Sequence, residues 1–251
     1  MIAHYDWSGG REAMLRFGPA TGPVVIAALP LFEEANRTRA FTATILRALA
    51  ERGIASALPD LPGQGESLLP THETNLTILR EAFSAAVEAL NPSPTGRGRE
   101  PQSGGRVRAE TPAIFTLAIR SGTLLDATAD VTARYHLSPA TGADLRRELI
   151  RARQASARES GTPFDPASID SATAPIELAG NLIAPAFLTE LTTATPSTAN
   201  TRTVRLQTEA KPADHKLPGS PLWRRAEPDN DPDFAARIAD DIAAWIAKCA
   251  A

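Results

Sequence analysis

Three short stretches of this chain gather residue types that can do chemistry. LFEEANRTR (31–39) holds two carboxylates, an amide and two guanidinium groups; AIRSGTLL (118–125) sets Arg120 beside Ser121 in a tight turn; DLPGQGES (60–67) is a Pro/Gly-rich loop opening on an acid. The planar fork of Arg120 suits a bidentate carboxylate. Glu33 or Glu34 could supply that carboxylate as a fixed salt bridge, or a bound anion could take it, and both uses stay open. Ser121 could accept an acyl group only beside a general base. The histidines are His4, His72, His136 and His215, and only His215 lies late enough for the chain order serine, acid, histidine. It sits in KPADHKLPGSPLW (211–223), where the adjacent Asp214 cannot easily orient it, so a solvated loop histidine is the competing reading. Asn36, Arg37 and Arg39 either join a ligand site or belong to a polar loop whose Asn36 or Thr38 caps the next helix. Asp60 reads as structural, bonding the amides of its own turn.

The elements that would position these groups alternate between strand and helix. Residues 1–23 read as a hairpin turning at Ser8-Gly9-Gly10. VVIAALP (24–30), IASALP (54–59) and AIFTLAI (113–119) are short continuous apolar runs, the pattern of strands buried on both faces of a parallel sheet. Helical spacing predicts helices over about 41–52, closed by Gly53, and over 74–90, 144–158 and 233–247. Residues 134–138 and 201–210 read as further strands, and 175–194 as a short strand plus a helix. This order predicts a doubly wound α/β sheet with its site at the carboxyl ends of the strands, where the loops after Pro30 and Asp60 and the turn at Arg120 converge.

Composition narrows the function classes. Net charge is -3, with 23 Arg and 3 Lys against 29 acids, which argues against nucleic-acid or polybasic membrane partners. Leu, Ile, Val and Phe total 53 residues, so the core is thin and the 46 Ala inflate the apolar fraction. The expectation is one domain over 1–251 with polar insertions around 91–111 and 159–174. The single Cys249 has no disulfide partner or metal-ligand spacing, no phosphate-loop pattern follows Gly63 and Gly65, and no cofactor or metal is expected. No apolar stretch reaches membrane-spanning length, and the polar N-terminal sequence makes a cytoplasmic protein the default expectation. Trp223 and Trp245 read as anchors of the last helix, and the Arg-rich helix 144–158 as a solvated face.

In several ordered pieces the chain resembles the α/β-hydrolase superfamily, and more closely the second type of bacterial hydrolase associated with the exosortase A system. The pieces are LPLFEEANRTR (29–39), LPDLPGQGES (58–67), AIRSGTLL (118–125), IELAGNLIAP (176–185) and PLWRRAEP (221–228). The resemblance implies an α/β-hydrolase sheet and a place in exopolysaccharide or protein-sorting systems. It also implies a nucleophile elbow at 118–122, which needs small residues two before and two after its apex. With Arg120 at the apex those positions are Ala118 and Gly122; with Ser121 they are the β-branched Ile119 and Thr123. The register therefore puts an arginine, which stays protonated and cannot accept an acyl group, in the nucleophile's place. The resembled group carries Arg there as well.

Two functions follow. One is a degenerate hydrolase using Arg120, Glu34, Asn36 and the backbone at Leu31 to hold a small or lipid-like anion, or a partner protein. The other is an active ester or thioester hydrolase or acyltransferase with Ser121 as nucleophile, His215 as base and amides near Leu31 as oxyanion hole. The elbow register favours the first. Between Gly180 and Trp223 one clear strand is visible where a full hydrolase sheet has two, so a strand near the C-terminus is expected to be missing.

Overall fold

A computed structural model describes residues 1–91 and 112–249. The insertion expected at 91–111 lies, from residue 92 onward, outside the described residues. Ile2–Trp7 (β1) and Gly10–Phe17 (β2) form the expected antiparallel hairpin. Val24–Ala28 (β3), Ala55–Pro59 (β4) and Ile114–Ile119 (β5) are buried at every position, which is why they read as unbroken apolar runs. Ala133–Leu137 (β6), Thr201–Leu206 (β9) and His215–Leu217 (β10) complete one sheet of eight strands in the order β1-β2-β4-β3-β5-β6-β9-β10. The β1–β2 and β2–β4 pairs are antiparallel and all others parallel.

The strand expected to be missing is therefore present. It spans three residues, His215–Leu217, and pairs in parallel with β9. Its His-Lys-Leu sequence is too short and too polar to show strand alternation, so pairing to β9 rather than local preference makes it a strand.

Helices cover both faces. Glu33–Glu51 (α1) and Pro232–Cys249 (α5) pack one side, burying Phe41, Ile45, Leu49, Phe234, Ile238 and Ile242. Leu76–Leu90 (α2) packs the other through Leu79, Phe83 and Val87, its first turn capped by Asn75 Oδ1, which accepts from Ile78 N at 2.8 Å. Each such large apolar side chain contributes about 1.5–3 kcal/mol on burial, and the buried residues form two clusters. Between β6 and β9 the chain leaves the sheet and builds Gly142–Ser160 (α3), a hairpin of Ile176–Leu178 (β7) and Asn181–Ile183 (β8), and Pro185–Leu191 (α4).

Two boundaries differ from expectation. Residues 33–39 are not a polar connection: they are the first two turns of α1, which begins after Phe32 with no side-chain cap, so neither Asn36 nor Thr38 is the N-cap. Glu33 and Glu34 lie in its first turn, where carboxylates are favoured by the helix dipole. The stretch 175–194 holds a two-stranded hairpin and a helix, turning on Ala179 and Gly180 at φ 50° and 75°, the two consecutive positive values of a tight hairpin turn.

Candidate functional site

β5 and β6 are each followed at once by a non-glycine residue with positive φ, Arg120 at 54° and Ser138 at 50°, and the loop from β3 into α1 carries a third, Phe32 at 61°. Such backbone costs about 1–3 kcal/mol per residue and clusters at functional sites. Arg120 is the apex of the turn from β5 into a 3₁₀ segment, as the register of Ala118 and Gly122 predicts. A Cβ on Gly122 would lie 2.3 Å from Ala28 O and 2.5 Å from Leu29 O, so glycine lets the turn press against the end of β3. Beneath it, Asp126 accepts from Thr116 Oγ1 at 2.6 Å and is 3.0 Å from His136 Nε2, all three fully buried. This network ties the turn to β5 and β6.

Arg120 is held from two sides. Its Nε and Nη2 donate to Glu34 on α1 at 3.3 and 3.4 Å, and Nη2 donates to both oxygens of Glu148 on α3 at 2.8 and 3.0 Å. Its guanidinium carbon lies 5.8 Å from the ring centroid of Trp223, which arrives on the loop after β10. Burial disfavours the charged guanidinium, but the two carboxylates outweigh it and push its pKa up. Two negative charges share one positive charge, so one carboxylate is in excess. Burial pushes the more enclosed Glu34 above the usual carboxylate range; Arg120 opposes the rise and Glu148 adds to it.

Ser121 and His215 are not brought together. Ser121 is 1% exposed, and its Oγ accepts the amide proton of Leu31 at 2.9 Å, occupying the very donor expected to face an oxyanion. Across the sheet Ile119, Leu137, Val204 and His215 share one register row. His215 therefore lies three strands from the turn, about 14 Å at ~4.8 Å per strand. Its ring approaches Asp241 of α5, with Nε2 3.8 Å from Oδ1. The carboxylate that follows β9, Glu209, accepts from Ser138 Oγ and from Arg205 Nη1. Burial raises its pKa, but these hydrogen bonds more than reverse that and leave it below the ordinary value.

Of the expected ligand-contacting residues, Arg120, Glu34 and Leu31 are neighbours. Asn36 is not with them: it is exposed, reaches Glu33 at 3.4 Å and faces a small cleft beside Asp60 and Gln64. Arg39 pairs with Asp60 at 2.7 Å. Asp60 does not bond its own turn amides; Ser67 Oγ does, accepting from Gly63 N and Leu69 N.

A cavity of about 440 Å³ opens beside the Arg120 clamp. Leu31, Phe32, Leu145 and Leu149 give it apolar walls, and its polar groups are Glu33, Glu34, Glu148 and Arg37. Arg37 Nη1 donates to Trp223 O at 3.4 Å, while its Nε, 3.7 Å from Glu33, is buried without a hydrogen-bond partner. Among the described residues no group of three or more His, Cys, Asp or Glu is placed to hold a metal ion. Sequence reading missed two participants. Glu148 had a partial signal, since it stands at i+3 from Leu145 and next to Leu149, beside the buried stripe of α3, although its own side chain is 43% exposed. Trp223, read as a helix anchor, had none.

Sheet order, the parallel core and the strained turn after β5 define an α/β-hydrolase fold. No protein-family model and no curated protein matches the chain. Among solved structures, Est1E from Butyrivibrio proteoclasticus, seen with bound ferulic acid, is similar over 97% of this chain and 98% of its own, at 14% identity and TM-score 0.56. A serine hydrolase without lid from Xanthomonas campestris matches 55% of this chain and 61% of its own at 15% identity and TM-score 0.42. An epoxide hydrolase from Vigna radiata matches 55% at 19% identity and TM-score 0.39, and the chain spans 40% of that enzyme's length. Among the described residues no helix is long and apolar enough to cross a membrane.

Proposed function

We propose that this chain is a degenerate hydrolase: an α/β-hydrolase-fold protein that binds a small or lipid-like ligand beside its altered elbow and does not cleave esters. One observation carries the reading. The apex residue is Arg120, clamped by Glu34 and Glu148, while the neighbouring Ser121 hydroxyl is buried against the Leu31 amide. A serine mechanism needs a hydroxyl that is exposed to substrate, a base within about 2.6–3.2 Å of it, and free donors for the oxyanion. Here the only serine of the turn is sealed, the expected base is strands away and the expected donor is occupied. The resemblance of five segments to exosortase-associated hydrolases supports placing this function, in the cytoplasm, within a bacterial exopolysaccharide or protein-sorting system.

Ester turnover tests the reading. With p-nitrophenyl acetate and butyrate, wild type and Ser121→Ala are expected to release p-nitrophenol at the same rate as a catalytically inert protein of equal concentration. Saturable turnover that disappears in Ser121→Ala would restore the active hydrolase or acyltransferase, with Ser121 as nucleophile.

A further inference from the structure

The cavity beside Arg120 carries a charge preference opposite to the one its arginine suggests. Three carboxylates, Glu33, Glu34 and Glu148, line it against one guanidinium, Arg37; even with Arg120, which is bound to Glu34 and Glu148 but does not line the cavity, the group is formally one charge negative when all are ionised. We propose that the cavity takes an amphiphile with an apolar body and a cationic ammonium head, and discriminates against the corresponding carboxylate. The inference rests on the non-hydrolytic, ligand-binding reading above and names the chemical class of that ligand.

Much of the donor set an anion would need is already used. Arg120 Nε is spent on Glu34, its Nη2 is shared by Glu34 and Glu148, and the Trp223 ring lies 5.8 Å from the guanidinium. Arg37 is turned to Glu33 and to the Trp223 carbonyl. A ligand carboxylate that reached the remaining donors of either guanidinium would still lie among Glu33, Glu34 and Glu148, adding a fourth negative charge against two positive ones. An ammonium group meets no such repulsion. The side chains of Glu33 and Glu148 are 42% and 43% exposed, and each ionised carboxylate offers about four lone-pair sites, more than its protein partners use. A cationic head placed between them satisfies the excess negative charge and removes part of the cost of keeping Glu34 ionised beside Glu148. The apolar body then has somewhere to go. Leu31, Phe32, Leu145 and Leu149 wall a volume of about 440 Å³, within the ~300–1,000 Å³ usual for small-molecule pockets.

Calorimetric titration of the full chain at pH 7 with decylamine, decanoate and decanol, each below its micelle concentration, tests this. Decylamine is expected to bind about tenfold more tightly than decanoate, with decanol between them, and the preference should shrink as salt is added. Glu33→Gln leaves the Arg120 clamp untouched, so it is expected to fold and to lose part of the preference; Glu33→Gln with Glu148→Gln should abolish it. Equal or tighter binding of decanoate overturns the charge assignment, as does failure of all three probes to bind. Neither result touches the non-hydrolytic reading, which falls only on Ser121-dependent ester turnover.

Discussion

Arg120→Ala is expected to lower unfolding free energy by about 3 kcal/mol at neutral pH, the lower end of the range for leaving a buried ion pair half broken. The lower end applies because Glu148 is 43% exposed and solvates readily, whereas Glu34, at 17%, loses its main counter-ion. Backbone strain can be separated from charge. Alanine keeps the cost of φ 54°, and glycine does not, so Arg120→Gly should be more stable than Arg120→Ala by about 1 kcal/mol. The pH dependence has a definite sign. Glu34 already has a folded-state pKa above its ordinary value, first because of burial, and removing the guanidinium raises it further. A carboxyl with a raised folded pKa contributes most to stability when protonated, and that contribution is lost as pH rises through the folded pKa. The destabilisation by Arg120→Ala should therefore be smaller at pH 5 than at pH 8 in urea melts. A loss equal at both pH values, or below about 1 kcal/mol, would mean that the clamp is not a buried ion pair in solution.

Gly122→Ala should damage the protein at least as much. Its Cβ would meet backbone oxygens of Ala28 and Leu29 at 2.3 and 2.5 Å, and neither can give way without moving β3, a strand buried at every position. We expect a cost of about 3 kcal/mol or more, toward the upper end for overpacking, seen as a lowered melting temperature or loss of soluble protein. Gly53→Ala is the matching control. Gly53 has a positive φ, 74°, which Gly122 lacks, and its Cβ would meet nothing within 4 Å, so only about 1 kcal/mol of backbone strain is expected. Near-equal effects of the two substitutions would show that the close approach at the elbow is not what requires glycine.

The sheet was legible because its central strands are buried on both faces and so read as continuous apolar runs. What escaped notice did so for physical reasons. The first two turns of α1 looked like a loop because the positions facing the sheet include Thr38 and Thr42, whose hydroxyls donate to the carbonyls of Glu34 and Thr38 at 2.7 and 2.9 Å. Such bonds let a polar residue occupy a buried helical position, which hides the apolar period. β10 escaped because three residues carry no periodicity. At the site, the elbow register was readable from Ala118 and Gly122, since steric demand is local. The partners of Arg120 were only half readable. Glu34 was an expected candidate, but Glu148 and Trp223 come from α3 and from the loop after β10, and no local signal states that these meet at Arg120. Ser121 shows the converse. Its type suggested a nucleophile, and only tertiary packing shows its hydroxyl turned onto the Leu31 amide.

The central claim is that no activated serine stands at this elbow. Intact-mass measurement after incubation with a fluorophosphonate probe tests it most directly, because the probe phosphonylates an activated serine whatever ester the enzyme prefers. Wild-type protein is expected to keep its unmodified mass under conditions that fully label a known serine hydrolase. A stoichiometric adduct, mapped to Ser121 and absent from Ser121→Ala, would contradict the account.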